Sequence, residues 1–155
     1  MKAAVSRIKP DHPDFAELVR LLDNEFYAMY GDVYLSYQSH NTLTELEAAM
    51  IVYADGAPAA CGGIKPFDAH TAELKRIFVR PDFRRLGLAQ RLIHDLEAAA
   101  LEQGYDHMAL VTGADMPAAI SLYQKLGYAV ASSYGPYAGD DACVCMTKTL
   151  GNTIA

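Results

Sequence analysis

Residues 87–103 constrain this chain more than any other stretch. Leu88, Leu92, Leu96 and Ala100 recur at steps of four, Ala89 and Ile93 fill the same stripe, and Gly104 follows. That spacing predicts a long helix with one apolar face and a glycine stop. Ahead of it, residues 71–80 read as a strand closed by Pro81, and after it residues 108–112 form a short continuous apolar run. A strand, a loop, a helix and a further strand imply a crossover, and hence parallel pairing at the centre of an α/β sheet.

The remaining pattern fits around that unit. Residues 3–8 predict a first strand, and Pro10-Asp11-His12-Pro13 signals a turn into a helix. Phe15, Leu18, Leu22, Phe26 and Met29 share one face of that helix until Gly31-Asp32 ends it. Residues 32–43 are polar and tyrosine-rich without a clear period, and residues 44–50 predict a short second helix, with Thr44 as cap and Glu47 three residues on. Residues 50–54 and 58–66 predict strands joined at the hairpin signal Asp55-Gly56. Pro117 opens a helix that Gly127 closes, and residues 128–133 and 141–149 predict two last strands around Gly135-Pro136-Tyr137-Ala138-Gly139. The expected order is β-α-α-β-β-β-α-β-α-β-β. There is no repeat, low-complexity segment or linker, so one domain over residues 1–155 is expected.

Composition excludes several classes. With 52% apolar and 21% charged residues the chain reads as soluble and globular, and no apolar run approaches the roughly 20 residues of a membrane helix. Met1 to Arg7 carries no long apolar core, so a secretory signal is not expected. Cys61, Cys143 and Cys145 are an odd, sparse set that fits a reducing cytoplasm rather than a disulfide framework. Cys143 and Cys145 share a strand face as packing thiols, and no histidine stands at metal-ligand spacing, so no metal is expected. The G-x-S-x-G elbow of hydrolases is absent.

The net charge of −6 argues against nucleic acid as a partner, yet the charge is uneven. Residues 75–91 hold Lys75, Arg76, Arg80, Arg84, Arg85 and Arg91 against Asp82 alone, while residues 1–50 carry 4 basic and 8 acidic side chains. Within the basic segment, Arg84-Arg85-Leu86-Gly87-Leu88-Ala89 joins the strand to the long helix. A helix N-terminus offers unpaired N–H groups and a partial positive charge. Small residues at Gly87 and Ala89 let an anion approach the backbone, and Arg84 and Arg85 add full charges. These parts suit a pyrophosphate; they equally suit an ordinary helix start with solvated arginines. Neither G-x-x-x-x-G-K-[ST] nor G-x-G-x-x-G occurs, which argues against the P-loop and dinucleotide folds.

Arg84-x-x-Gly87-x-Ala89 resembles the [Q/R]-x-x-G-x-[G/A] signature of the GCN5-related N-acetyltransferases (GNAT family). Ile77-Phe78-Val79-Arg80-Pro81 is similar to the strand end before that loop, and Leu122-Tyr123-Gln124-Lys125-Leu126-Gly127-Tyr128 to the family's later L-Y-x-x-x-G-[F/Y] motif. The resemblance covers about residues 50–149. It implies an α/β GNAT fold, a mixed central sheet of about seven strands with flanking helices and splayed parallel strands in the centre. It implies acetyl-CoA as donor, with the pyrophosphate on Arg85, Leu86, Gly87, Leu88, Ala89 and Gln90 beside Arg84. The pantetheine would pair along Ile77, Phe78 and Val79 like an added strand.

The implied reaction is direct acetyl transfer to a primary amine. A backbone N–H near Phe78 or Val79 would face the oxyanion, Tyr123 would protonate the leaving thiolate, and Glu73 would take the amine proton. As residues, Tyr123 equally suits core packing on a helix, and Glu73 a salt bridge with Lys75 or Arg76. Met116 stands where many members carry an asparagine, so the usual amide contact to the cofactor is not expected. The expected acceptor is a small-molecule amine. A protein N-terminus or lysine is the rival, and a non-catalytic CoA-binding sensor is the alternative outside catalysis. Tyr27, Tyr30, Tyr34, Tyr37, Tyr134 and Tyr137 fall where the family walls its acceptor site; their rings, with the acidic first half, favour a cationic or aromatic amine. A cytoplasmic location is expected, no nucleic-acid or membrane partner is, and a homodimer is open because dimers are common in the family.

Overall fold

The computed structural model describes residues 1–38 and 45–151. Among these residues one mixed sheet contains β1 (Ala3–Ile8), β2 (Ala48–Ala54), β3 (Ala57–Pro66), β4 (Thr71–Val79), β5 (His107–Gly113), β6 (Ala129–Ala131) and β7 (Cys143–Thr149). The spatial order is β1-β2-β3-β4-β5-β7-β6. The helices are α1 (Pro13–Tyr30), α2 (Asp32–Gln38), α3 (Leu88–Glu102) and α4 (Pro117–Lys125). No described helix is long and apolar enough to cross a membrane.

Strand β2 shows why helices cover both faces. Its sequence is almost wholly apolar, the pattern of a strand buried on two sides. Met50, Val52 and Ala54 pack in a core with Leu88, Leu92, Ile93 and Leu96 of α3. Ala49 and Ile51 pack in a second core with Phe15, Leu18, Val19 and Leu22 of α1. Full burial of each such Leu or Ile contributes about 1.5–3 kcal/mol. Helix α1 starts as its sequence predicts: Pro13 occupies the first turn, and the His12 ring accepts from the Asp14 N–H at 3.1 Å. The β2–β3 hairpin turns at Asp55 and Gly56, both with positive φ (50° and 84°), as a two-residue turn of this kind requires.

The second helix is not where the pattern placed it. Residues 48–50 begin β2, so the helix predicted over 44–50 is corrected; Thr44, its proposed cap, lies outside the described residues. The short helix is instead α2, in the tyrosine-rich stretch that showed no period. Seven residues make too few turns for an apolar stripe to repeat, and tertiary contacts, such as the buried Tyr34, hold α2 instead.

Two irregularities open the middle of the sheet. Between β3 and β4 the register runs from Cys61↔Phe78 to Gly63↔Lys75, leaving one extra residue on β4 opposite Gly62. Arg76 lies in this bulge with φ 61°, a left-handed conformation costing roughly 1–2 kcal/mol outside glycine. The second irregularity is that β4 and β5, parallel as predicted, pair only from Thr71↔His107 to Glu73↔Ala109. Beyond Glu73, β4 stays with β3 while β5 stays with β7, and the two strands become facing walls.

Candidate active site

The space between those walls is a cleft of about 900 Å³. Leu74 to Val79 form one side, the end of β5 with Ala118, Ala119, Leu122 and Tyr123 of α4 the other, and α1–α2 the roof.

At one end lies the loop into α3. Gly87 has φ 77° and is the residue before α3, and among the described residues no side chain caps the first N–H groups of that helix. A Cβ on Gly87 would meet nothing within 4 Å, so its backbone conformation, not crowding, calls for glycine. Arg85 also has a positive φ, 65°, and both it and Gly87 reach the cleft wall, as do Leu88, Ala89 and Gln90. Leu86 does not; its side chain is half exposed outside the cleft. Arg84 is engaged within the protein. Its Nε donates to the Val79 carbonyl at 2.9 Å, its Nη2 donates to Glu25 at 2.8 and 3.0 Å, and it stacks 5.8 Å from the Phe78 ring centroid. It therefore fixes the loop against β4 and α1, leaving Arg85 as the cation that the loop presents.

The free edge of β4 follows from alternation along the strand. The Arg80 N–H donates to the Ala59 carbonyl at 2.8 Å, which directs the Phe78 N–H toward β3 as well. The Val79 N–H then points to the opposite side, into the cleft.

Tyr123 stands on this cleft from α4. Its ring packs edge-on to Tyr128 at 6.0 Å, and its hydroxyl makes no hydrogen bond among the described residues. Burial pushes its phenol up to about 12. Met116 also lines the cleft but turns its sulfur to the Thr112 hydroxyl at 4.0 Å and brings no amide.

Glu73 sits at the last paired position of β4 and is only 3% exposed. Its Oε2 accepts from the Tyr134 hydroxyl at 2.6 Å and lies 3.7 Å from Lys75 Nζ. Lys75 is on the cleft wall; Glu73 is not. The structure thus brings Glu73 to the site through its neighbours rather than by direct access.

The other end of the cleft is aromatic. Phe26, Tyr30, Tyr34, Tyr37 and Tyr137 line it, whereas Tyr27 and Tyr134 stand outside. Two tyrosines bridge the roof to the far wall, Tyr30 to Asp115 at 2.9 Å and Tyr37 to Asp140. Two acids of the first half are paired with arginines of the basic segment, Asp23 with Arg76 at 2.9 Å and Glu25 with Arg84. Tyr34 completes the first pair, donating to Asp23 at 2.6 Å and accepting from Arg76 at 3.3 Å. This cluster holds Arg76 in its left-handed bulge, and no sequence motif announced it. Among the described residues no group of three or more His, Cys, Asp or Glu side chains is placed to hold a metal ion.

An open β-strand edge leading to a helix N-terminus, with a phenol across the gap, is an arrangement that suits an acyl-CoA-dependent transferase. The edge can pair an amide-bearing arm, and the α3 terminus with Arg85 suits a pyrophosphate. The family model for the acetyltransferase (GNAT) family matches residues 15–128, and the chain belongs to that family. It is an N-acetyltransferase whose acetyl donor is acetyl-CoA. It is 29% identical over 152 residues to the IAA acetyltransferase of Azospirillum brasilense, covering 94% of this chain and 97% of that one. A Klebsiella pneumoniae structure of the acyl-CoA N-acyltransferase fold superposes with TM-score 0.81 at 27% identity, over 96% of this chain and 98% of that one. The PaiA N-acetyltransferase of Thermoplasma acidophilum, solved with coenzyme A, shares the fold at TM-score 0.74 and 18% identity, over 97% and 100% of the two chains.

Proposed function

We propose that this protein transfers the acetyl group of acetyl-CoA to the primary amine of a small molecule. The carrying observation is the splay of β4 from β5, which brings the loop into α3 and an aromatic group of side chains to one strand edge within a single cleft. The tyrosine–carboxylate bridges from Tyr30 and Tyr37 tie the roof to the far wall. They favour a compact acceptor over a polypeptide lying across the sheet.

Bound acetyl-CoA supplies a thioester carbonyl open to attack. The chain's residues do the rest. Arg85 and the N–H groups of α3 bind the diphosphate, and Arg84 orients their loop. Ile77 and Val79 would give the donor's arm a strand edge, and the Val79 N–H would donate to the carbonyl oxygen as it gains negative charge. Tyr123 gives its proton to the departing sulfur; a phenol raised to about 12 stays protonated throughout the neutral range. Glu73 acts as a positioning group, holding Lys75 and Tyr134. The amine enters from its neutral fraction, roughly 0.1% at pH 7 for a pKa near 10.4.

The test is thiol release from acetyl-CoA across a panel of small amines and peptide N-termini. Turnover with small amines and none with peptides is expected; turnover confined to peptides would overturn the reading.

A further inference from the structure

We propose that Asp23 and Tyr34 are positioning residues which, by clamping Arg76 in the β4 bulge, decide which backbone N–H of that strand faces the cleft. The role given to that edge rests on the acetyl-transfer reading; how the edge is held does not.

Two residues four apart on a regular strand share a face. Leu74 and Phe78 do not: Leu74 packs in the core shared with α3, and Phe78 in the core shared with α1. The extra residue opposite Gly62 inverts the alternation between them, so that Ile77 and Val79 turn to the α3 core as well. The same residue sets the amides. Phe78 stands opposite Cys61 with its N–H toward β3, and the Val79 N–H faces the cleft. Without the bulge Ile77 would take the place opposite Cys61, and the Phe78 N–H would face the cleft one residue early.

Arg76 has φ 61° without being glycine, and such a residue persists only where its surroundings over-determine it. Three elements do so. Arg76 Nη2 donates to Asp23 Oδ2 of α1 at 2.9 Å, and Nη1 to the Tyr34 hydroxyl of α2 at 3.3 Å. Tyr34 in turn donates to Asp23 Oδ1 at 2.6 Å. From β3, the Cys61 thiol donates to the Arg76 carbonyl at 3.5 Å. The Arg76 side chain is only 7% exposed, so removing the charge of Asp23 would leave a buried cation uncompensated. Tyr34 and Phe26, whose rings lie 5.2 Å apart, line the aromatic end of the cleft. One side chain thus joins the roof of the cleft to the strand edge below it.

The experiment measures the Kd of coenzyme A by calorimetry in wild type, Arg76→Ala, Arg76→Gly, and Asp23→Asn alone and combined with Arg76→Gly. Both Arg76 variants lack the guanidinium, so backbone freedom separates them; glycine enters the left-handed region about as readily as the right-handed one. Arg76→Ala is expected to bind about five- to thirtyfold more weakly than wild type, the population lost when a non-glycine residue must hold that conformation unaided. Arg76→Gly should recover most of that loss. Asp23→Asn should weaken binding in the wild-type chain and change it little beside Arg76→Gly. Equal affinities of Arg76→Ala and Arg76→Gly would overturn the proposal: if both are tight the bulge needs no clamp, and if both are weak the guanidinium itself meets the ligand. If Arg76→Ala does not fold, Asp23→Asn decides, an equal effect in the two backgrounds overturning the proposal. Thiol release from acetyl-CoA with the small amines separates the two claims. A difference in affinity between Arg76→Ala and Arg76→Gly with no amine acetylated leaves the clamp and removes the transfer reading. Amines acetylated by wild type with no such difference remove the clamp alone.

Discussion

The hydroxyl of Tyr134 donates to Oε2 of Glu73 at 2.6 Å, joining the loop after β6 to the strand that walls the cleft. Glu73 is buried and stands off the cleft wall, so it does not meet an acceptor amine directly. Glu73→Gln keeps the size and the Tyr134 contact but removes the charge facing Lys75. We expect a lower rate with an unchanged pH profile, still rising with pH as the amine deprotonates. A profile whose acid limb falls selectively in Glu73→Gln would make Glu73 the base.

Tyr123→Phe removes one hydroxyl from a ring that packs on Tyr128. The expected loss is about 10²-fold or more in kcat, the lower end for a general acid, with little change in the Kd of acetyl-CoA. Because the phenol is raised to about 12, the wild-type rate should not decline below pH ~10. Full turnover in Tyr123→Phe would return the residue to simple core packing.

Tyr34, Tyr123 and Tyr137 are each raised from 10.0 to about 12, chiefly by burial. In the unfolded chain these phenols ionise first, so above pH ~10 the unfolded state binds fewer protons and stability falls as pH rises. The contribution is complete below the unfolded value near 10 and is lost as pH climbs toward 12. Urea midpoints should therefore drop across that window. A midpoint that held steady through it would contradict the burial of these hydroxyls.

The glycine pair opposite the bulge separates two kinds of crowding. A Cβ on Gly62 would come within 2.5 Å of Ile77 Cδ1, the tip of a side chain, whereas one on Gly63 would come within 2.8 Å of the Ala48 carbonyl oxygen. Gly63→Ala should cost more than Gly62→Ala, about 1–3 kcal/mol by the scale of overpacking. Gly62→Ala should disturb Ile77 and with it the Kd of acetyl-CoA. Equal stability losses by urea denaturation would contradict this assignment.

Much of this was legible before any coordinates. The steps of four in residues 87–103, the hairpin at Asp55-Gly56 and the continuous apolar run at 108–112 each reflect local rules that tertiary context did not override. The loop into α3 was legible for the same reason, since a glycine at a left-handed helix entry leaves a mark in one residue. The family motifs pointed to Tyr123, which the structure brings to the cleft wall. What stayed hidden depends on residues far apart in the chain. The arrest of β4–β5 pairing at Glu73, the capture of Arg84 by Glu25 and the use of Lys75 rather than Glu73 as cleft wall are all settled by packing. A charge count assigned the acids of the first half to a ligand because it could not see that arginines of the basic segment reach them.

The division of labour between the two loop arginines is testable by affinity. Arg84→Ala breaks an exposed ion pair worth at most about 1 kcal/mol of stability, but releases the loop from Val79. Arg85→Ala removes the charge that faces the cleft. Both should weaken acetyl-CoA binding, and only Arg85→Ala should flatten its salt dependence. Identical salt slopes in the two variants would show that Arg84 also meets the phosphates.

The most direct measurement is the product balance of one reaction containing enzyme, acetyl-CoA and the best small amine from the panel. Free CoA thiol and N-acetylated amine should appear in equal amounts, and both should fall together in Tyr123→Phe. Thiol released without acetylated amine would mean that the cleft between β4 and β5 passes the acetyl group to water, contradicting transfer to an acceptor held on the same strand edge.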